Sequence, residues 1–437
     1  MEWYSAAILM VGLILGLMAL GFPVAIGFLI TNIVGVFLFM GGERGVAQLV
    51  ANGATSVNSF LLVPIPLFIV MGELFFRSGL SKRAFDALDK LFGNFKGRLS
   101  YITVAGGTVT AAMSGSSLAS TAMLGSIMVP EGERRGYRSS FIVGPLLGAG
   151  GLAILIPPSI LMVLLGSIAR IDVGSLLLAG VVPGLILAAL YVAAIFVMAK
   201  LDPEGVPDYQ SERVSAGQKL RILAFDIMPL SLVIVAVVGT IIYGIATPSE
   251  SAAFGVLAVL ILMGFYRCLT VQVVIKAVTE ALRFSVMIFF VIVGASTFSQ
   301  VFAYSGATHG LVDWATSFDL SIYAMIAVIF VVLLVAGMFL DAISTMMLTI
   351  PILLPIVQDL GFDEVLFGVI MMISLEIGAV TPPLGLALYV MHSITGGRMT
   401  LTQIFMAGLP FLICSILLVV LIIVFPQLAL YLPELAR

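Results

Sequence analysis

Two clusters of oxygen-bearing side chains stand inside otherwise apolar stretches. In Ala111–Leu124 (AAMSGSSLASTAML) the hydroxyls of Ser114, Ser116, Ser117, Ser120 and Thr121 surround Gly115. In Leu340–Thr345 (LDAIST) a carboxylate, Asp341, precedes Ser344 and Thr345. Glu376 and Thr381 follow, close to a proline pair, Pro382-Pro383. An earlier pair, Pro157-Pro158, lies between Ile156 and Ser159 and follows the glycines Gly148, Gly150 and Gly151. Hydroxyls, a carboxylate and unwound carbonyls form an oxygen shell suited to a cation such as Na⁺. The N-termini of interrupted helices present free N–H groups and a positive dipole end to an anion. The competing reading is structural. Ser and Thr in membrane helices commonly bond the carbonyl of the preceding turn, and small residues pack helices together.

The surroundings decide where such groups sit. The 437 residues are 61% hydrophobic and 10% charged, a polytopic helical membrane composition with room for about ten to twelve crossings. Cys268 and Cys414 are far apart, so no disulfide framework is expected. His309 and His392 are the only histidines, and no Cys/His cluster has metal-ligand spacing. No GxxxxGK[ST] loop is present, so ATP-driven pumping would need another subunit. An intramembrane enzyme would need a nucleophile with its base, or a metal site, and neither is offered. Nothing suggests nucleic-acid binding; the expected solvent is the lipid bilayer. The segment Trp3–Leu20 is expected to be the first span, since no basic region or cleavage site precedes or follows it.

In hydrocarbon an unpaired backbone group costs several kcal/mol, so non-helical backbone survives only beside protein or a water-filled cavity. Met113–Ser117 is a poor helix interior with apolar arms on each side, which predicts the tip of a re-entrant hairpin over 101–130. The flanking charges agree. Arg77–Arg98 holds six Lys/Arg and Glu131–Arg138 three. Basic loops favour the cytoplasm. Only about 30 residues separate these two loops, whereas two full spans need about 40. Apolar positions at helical spacing in Arg77–Arg98 predict an amphipathic surface helix. The glycines and the proline pair predict a span over 139–168 that unwinds in mid-membrane. Spans are also predicted over 4–20, 24–40, 60–76 and 173–199, with a polar loop containing Glu43, Arg44, Asn52 and Asn58 after the second.

A shift of 225 residues sets Pro23 on Pro248, Pro130 on Pro355, Pro157 on Pro382 and Pro158 on Pro383. With 10 prolines in residues 1–212 and nine after them, a random shift aligns fewer than one pair on average. The chain therefore reads as a duplication. A first repeat occupies 1–200, a cytoplasmic linker 201–225, a second repeat 226–426 and a C-terminal tail 427–437. The second hairpin falls at 324–355 and the second broken span at 366–394. Each repeat has five membrane spans, one of them broken, plus a re-entrant helical hairpin. Five is odd, so the repeats are expected to have inverted topology. With the first hairpin's ends inside, 17 of the 20 Lys/Arg face the cytoplasm and both termini face the periplasm. The predicted class is an all-α polytopic membrane protein built of two inverted-topology repeats. Paired breaks in inverted repeats place a secondary transporter's site near the midplane. The hairpins and broken spans are expected to move as one body against a frame of the remaining spans, with hinges near Gly97 and Gly306.

MSGSSLASTAML, ILIPPS (Ile154–Ser159), AVTPPLG (Ala379–Gly385) and FLDAISTMMLTIPILLP (Phe339–Pro355) resemble the large membrane subunit (M subunit) of tripartite ATP-independent periplasmic (TRAP) transporters, over essentially the whole chain. The resemblance implies the elevator-type ion-transporter fold and Na⁺-driven import, by an elevator-type movement, of an organic acid such as a C4-dicarboxylate or sialic acid across the bacterial inner membrane. It implies two partners: a small four-helix membrane subunit (Q subunit), expected here as a separate polypeptide, and a periplasmic solute-binding protein (P subunit). Candidate substrate contacts are Ser116, Ser117, Ser120, Pro158, Ser159, Thr345, Thr381 and Pro383. Candidate sodium ligands are Ser114, Gly115, Ser117, Gly150, Ile156, Asp341, Ser344, Glu376, Gly378 and Thr381. Two alternatives stand beside this reading: a self-sufficient divalent-anion/Na⁺ symporter of similar architecture, and a channel, which would favour rings of charge around a repeated pore.

Overall fold

The computed structural model describes residues 1–92, 96–114, 117–207 and 215–436, and the side chains of all of these except 111–114. Among the described residues all regular structure is helical. The first half holds α1 (Trp3–Ala19), α2 (Val24–Phe39), α3 (Glu43–Val57), α4 (Pro64–Arg77), α5 (Leu80–Leu91), α6 (Arg98–Ser114), α7 (Ser117–Arg134), α8 (Ser140–Leu155), α9 (Ile160–Ala169) and α10 (Val173–Leu201). The second holds α11 (Ala216–Ile222), α12 (Met228–Ile242), α13 (Pro248–Phe265), α14 (Val271–Tyr304), α15 (Ala307–Thr316), α16 (Ile322–Phe339), α17 (Ala342–Asp359), α18 (Glu364–Val380), α19 (Leu386–Ile394), α20 (Leu401–Val424) and α21 (Gln427–Leu435). Eight described helices are long and apolar enough to cross a membrane, nine if α8 and α9, bent by 41°, form one span. α1 and α2 are shorter apolar helices.

The helix starts follow local chemistry. Thr247 with Glu250 and Thr400 with Gln403 form capping boxes at α13 and α20, each pair satisfying N–H groups that a helix start leaves free. Pro248 sits at the first position of α13, where its missing donor costs nothing. Asp172, Ser321 and Asp363 cap α10, α16 and α18 singly, each side chain accepting one N–H of the first turn.

Three segments differ from expectation. The polar stretch after α2 is a helix, α3, and not a loop. Gly45 sits tight against Val36 and Met40, Gly53 lies beside Val293 of α14, and Glu43, Arg44, Gln48 and Thr55 are exposed. The latter part of the linker is helical, opened by a Ser215/Gln218 capping box and running through a π-helical turn, Leu223–Ile227, into α12. The C-terminal segment carries α21, which packs on α10.

The helices pack in two groups. α1 to α4 and α12 to α14 contact one another, through α4 with α13 and α14 and through α2 with α14. The hairpin helices α6, α7, α16 and α17 pack with the interrupted pairs α8/α9 and α18/α19. α10 and α20, expected in the frame, instead pack on α8 and α18. Tyr191 of α10 and Phe411 of α20 meet edge to face at 5.3 Å, and the Tyr191 hydroxyl pairs with Ser415 at 3.0 Å.

α8 is the hub of the second group, and every residue from Phe141 to Leu155 is buried. Its glycines do not unwind it. They let neighbours approach a regular helix: Gly144 and Gly148 face Phe411, Gly150 faces Thr121, and Gly151 faces Glu376. The helix ends only at Ile156, where the proline pair removes two donors.

The surface helix α5 is shorter than expected and is clamped at both faces. Arg98 pairs with Asp89 at 2.9 Å, and Arg135 bridges Asp89 and Glu131 at 3.5 and 2.5 Å. Arg83 pairs with Asp226 at 2.6 Å on the other side. Gly97, just before α6, and Gly306, which opens α15, have φ of 80° and 76°, conformations that favour glycine. Arg283 of α14 pairs with Glu280 at 3.1 Å on an exposed face.

Candidate functional site

The first hairpin's tip lies between α6 and α7. Gly115 and Ser116 fall outside the described residues, as does the side chain of Ser114. Ser117 and Thr121 are one turn apart on α7, buried, and neither hydroxyl has a hydrogen-bond partner. Ser120 is buried too. Thr121 presses its hydroxyl against Gly150 of α8, beside the Ser117 carbonyl. A side chain at Gly150 would close this contact, so glycine is required there for space. Its place inside a regular helix also means that Gly150 offers no unwound backbone.

The break between α8 and α9 is wholly buried. Ile156 turns extended (φ −81°, ψ 118°), and the Pro157–Pro158 bond is cis. Ile156 packs against Gly184 of α10. Ser159 caps α9 by accepting from the Met162 N–H at 3.4 Å. Pro158 and Ser159 are therefore enclosed by protein in this conformation.

The second hairpin turns at Leu340, and Asp341 is the N-cap of α17. Its Oδ1 accepts from the Ser344 N–H at 2.7 Å, and its Oδ2 accepts from the Ser344 hydroxyl. The carboxylate thus has a structural partner as well as the favourable end of the α17 dipole. Thr345, one residue on, is fully buried with an unpartnered hydroxyl.

The break between α18 and α19 is the more open one. Thr381 is extended (φ −103°, ψ 133°) and donates its hydroxyl to the Ile377 carbonyl at 2.5 Å; its N–H reaches the Gly378 carbonyl at 3.0 Å. Pro382–Pro383 is cis, and Pro382, Pro383 and Leu384 are exposed. Leu384 N–H donates to the Met338 carbonyl at 3.2 Å, tying this break to α16. A Cβ on Gly378 would stand 2.7 Å from Gly337 backbone atoms, so α16 and α18 cross backbone to backbone.

Glu376, one turn before that break, is 6% exposed, and both carboxylate oxygens lack hydrogen-bond partners. The Ser117 hydroxyl faces this carboxylate without closing a hydrogen bond of acceptable geometry. The two hairpins and two breaks are also cross-connected: α7 packs on α19, and α17 on α9. Sequence reasoning passed over Gly337 and Tyr191, and it read Gly151 as a point of unwinding and not as the residue beside Glu376. That pairing was findable, because Gly151 precedes Glu376 by the repeat shift of 225. No group of three or more His, Cys, Asp or Glu is gathered among the described residues.

The family model "Tripartite ATP-independent periplasmic transporter, DctM component" matches residues 11–428. The C4-dicarboxylate TRAP transporter large permease protein DctM of Rhodobacter capsulatus is 32% identical over 448 aligned positions, covering 98% of this chain and 99% of that protein. DctM of Pseudomonas aeruginosa is 32% identical over 86% of each chain. The sialic acid TRAP transporter large permease protein SiaM of Vibrio cholerae is 29% identical, covering 96% and 97%. Among solved structures, the Alcanivorax borkumensis YdaH transporter superposes with a TM-score of 0.65 at 13% identity, over 89% of this chain and 90% of that one, a likeness of fold. The helices, interrupted spans and family match together make this chain a multi-pass membrane protein belonging to the DctM family, the large permease component of TRAP transporters.

Proposed function

We propose that this permease subunit imports a small organic acid across the bacterial inner membrane, driven by a Na⁺ gradient. The carrying observation is repetition. Each half has a helical hairpin whose tip bears hydroxyl or carboxyl groups, and each has a helix interrupted at a proline pair. Such breaks supply backbone carbonyls for cations and helix N-termini for a carboxylate. Asp341, Ser344, Thr381 and the carbonyls beside the second break form one candidate cation shell. The first tip with the carbonyls around Ile156 forms another. The substrate carboxylate would lie between them, against Thr381 and the N-terminal end of α19 on the open side.

The movement we propose is of elevator type. The two repeats, 1–200 and 226–426, enter the membrane in opposite orientations, with both termini periplasmic. The hairpins and interrupted helices travel with α10 and α20, whose packing against α8 and α18 supports counting them in the moving body. α5 and α15 connect that body to the frame of α1 to α4 and α12 to α14. The substrate arrives from a periplasmic solute-binding protein, and a small four-helix membrane subunit completes the frame. Relatives named for C4-dicarboxylates, sialic acid and ectoine support an organic acid or a related small solute as cargo.

The test is uptake into proteoliposomes holding this chain and its small subunit, with and without the binding protein. Ligands are first found for the binding protein by a thermal-shift screen. Uptake only with the binding protein is the expected result. Full uptake without it would identify a self-sufficient symporter instead.

A further inference from the structure

We propose that the surface helix α5 carries a conformational lock: Phe85, seated against Gly106, and Asp89, held between Arg98 and Arg135, fasten the frame to the first hairpin in the conformation of this structure. The proposal rests on the elevator-type reading above and adds the contact that has to open when the body moves about Gly97.

On one side α5 is anchored to the frame. It follows α4 after a turn at Ser78 and Gly79, and its Leu80 and Ala84 share an apolar cluster with Leu74 and Phe75 of α4. Arg83 pairs with Asp226 at 2.6 Å and lies over the Tyr266 ring at 4.1 Å. Asp226 belongs to the π-helical turn that leads into α12, and the Tyr266 hydroxyl, just after α13, donates to the Phe225 carbonyl of that turn. On its other side α5 meets the body. Phe85 and Asp89 are one turn apart and share a helix face. Phe85 is buried, and any Cβ on Gly106 of α6 would overlap its ring, so this glycine is the notch that receives it. Leu88 and Phe85 join Leu99, Ile102, Met128 and Phe141 in one apolar cluster of α6, α7 and α8. Asp89 pairs with Arg98 at 2.9 Å and with Arg135 at 3.5 Å. These arginines stand at the start of α6 and just past the end of α7.

Two features make this a joint that opens and not a permanent weld. The Arg98 side chain is 3% exposed, and its Nε and Nη1 are buried without hydrogen-bond partners. A buried charge satisfied at one nitrogen only offsets part of the gain from seating Phe85. Gly97, immediately before Arg98, has a φ of 80°, and its backbone freedom lets the chain pivot between α5 and α6. The lock is also confined to one half. The 225-residue shift carries Phe85 to Gly310, Asp89 to Trp314, Arg98 to Tyr323 and Arg135 to Leu360, so none of the charges recurs. Gly310 instead receives the Trp3 ring of α1, which binds α15 to the frame. Matching locks in inverted repeats would favour the two ends of the movement equally. A single lock favours the conformation in which it is closed, and weakening it shifts the population toward the other.

The experiment measures the distance between spin labels on frame and body, in the full chain with its small subunit in nanodiscs. The labels stand at Leu269→Cys, between α13 and α14, and at Ser393→Cys, on α19, in a Cys268→Ser/Cys414→Ser background; both positions are exposed. The labelled chain without further change is expected to give two distances, with that of this structure the more populated. Asp89→Asn, Gly106→Ala and Phe85→Leu should each move the ratio about tenfold toward the second distance, the loss of one charge-assisted or close-packed contact. Arg138→Gln removes a pair with Asp202 that lies inside the body, between the start of α8 and the end of α10, and should leave the ratio unchanged. If Asp89→Asn or Gly106→Ala does not fold, Phe85→Leu, which keeps an apolar side chain, decides. Two distances in the same ratio across all variants would overturn the lock and leave the moving body intact. A shift of equal size in Arg138→Gln would also overturn it, since the loosening would then be general. One distance in every chain, with and without Na⁺, would remove the elevator-type reading itself.

Discussion

Asp341 separates a structural role from an ionic one, because two substitutions affect the two roles differently. As the N-cap of α17, its side chain accepts from the Ser344 N–H at 2.7 Å and from the Ser344 hydroxyl. Asparagine caps a helix about as well as aspartate, and alanine does not. Asp341→Ala should therefore lose about 1 kcal/mol of stability from the cap, and Asp341→Asn only about 0.5 kcal/mol from the lost charge at the dipole's positive end. Sodium affinity should order differently. If the carboxylate ligates Na⁺, both variants lose a charged contact worth about 2 kcal/mol, roughly a 30-fold rise in half-saturating sodium. Substrate affinity at fixed sodium should fall as well, and added sodium should recover part of it, since the coupling between the two ligands is reciprocal. The assay pairs thermal unfolding in Na⁺-free buffer with substrate uptake across a sodium titration. A folded Asp341→Asn protein with wild-type sodium dependence would leave Asp341 as a helix cap alone and remove it from the ion shell.

Single cysteines in 77–91 and 200–207 should be unreachable by an impermeant thiol reagent on intact cells, while cysteines in 304–320 should label; labelling of both surface-helix regions from outside would sink the inverted topology. Gly378→Ala puts a methyl 2.7 Å from Gly337 backbone atoms and should destabilise the protein by about 1–3 kcal/mol, read as a lower unfolding temperature; an unchanged value would mean that α16 and α18 separate freely. Burial alone would raise the Glu131 carboxyl, but hydrogen bonds and charge from Arg135 and Arg134 hold it below its ordinary value. Its contribution to stability is therefore complete above the ordinary glutamate range and disappears as pH falls through the lowered value. The difference in unfolding temperature between wild type and Glu131→Gln should accordingly be constant at neutral pH and close only in acid, and a difference closing near neutrality would contradict the pairing.

What was legible in the sequence was punctuation. The proline pairs located both helix breaks, since a missing donor is a property of the residue and needs no partner. The 225-residue shift located the second tip, with α17 beginning beside the expected Asp341. Packing was less legible. Gly148, Gly150 and Gly151 read as points of unwinding, yet they sit in a regular buried helix and admit Phe411, Thr121 and Glu376. Glycine permits freedom and close approach equally, and only the neighbours decide which is used. α3 was read as a loop because its charged and amide residues were weighed above the spacing of Gly45 and Gly53 on its packed side. α10 and α20 look like any other span in composition. Their place beside α8 and α18 depends on contacts such as Tyr191 with Phe411 and Ser415, which bring together residues more than 200 positions apart.

The central claim is that an ion gradient, and not a nucleotide, drives this permease. The direct measurement is uptake of the binding protein's ligand into proteoliposomes containing the permease, its small subunit and the binding protein, with the inward gradient set to Na⁺ or to K⁺ and no ATP inside or out. The account predicts accumulation above the external concentration with the Na⁺ gradient, collapse of that accumulation when the gradient is dissipated, and none with K⁺. Accumulation in sodium-free vesicles, or accumulation that requires ATP, would contradict it.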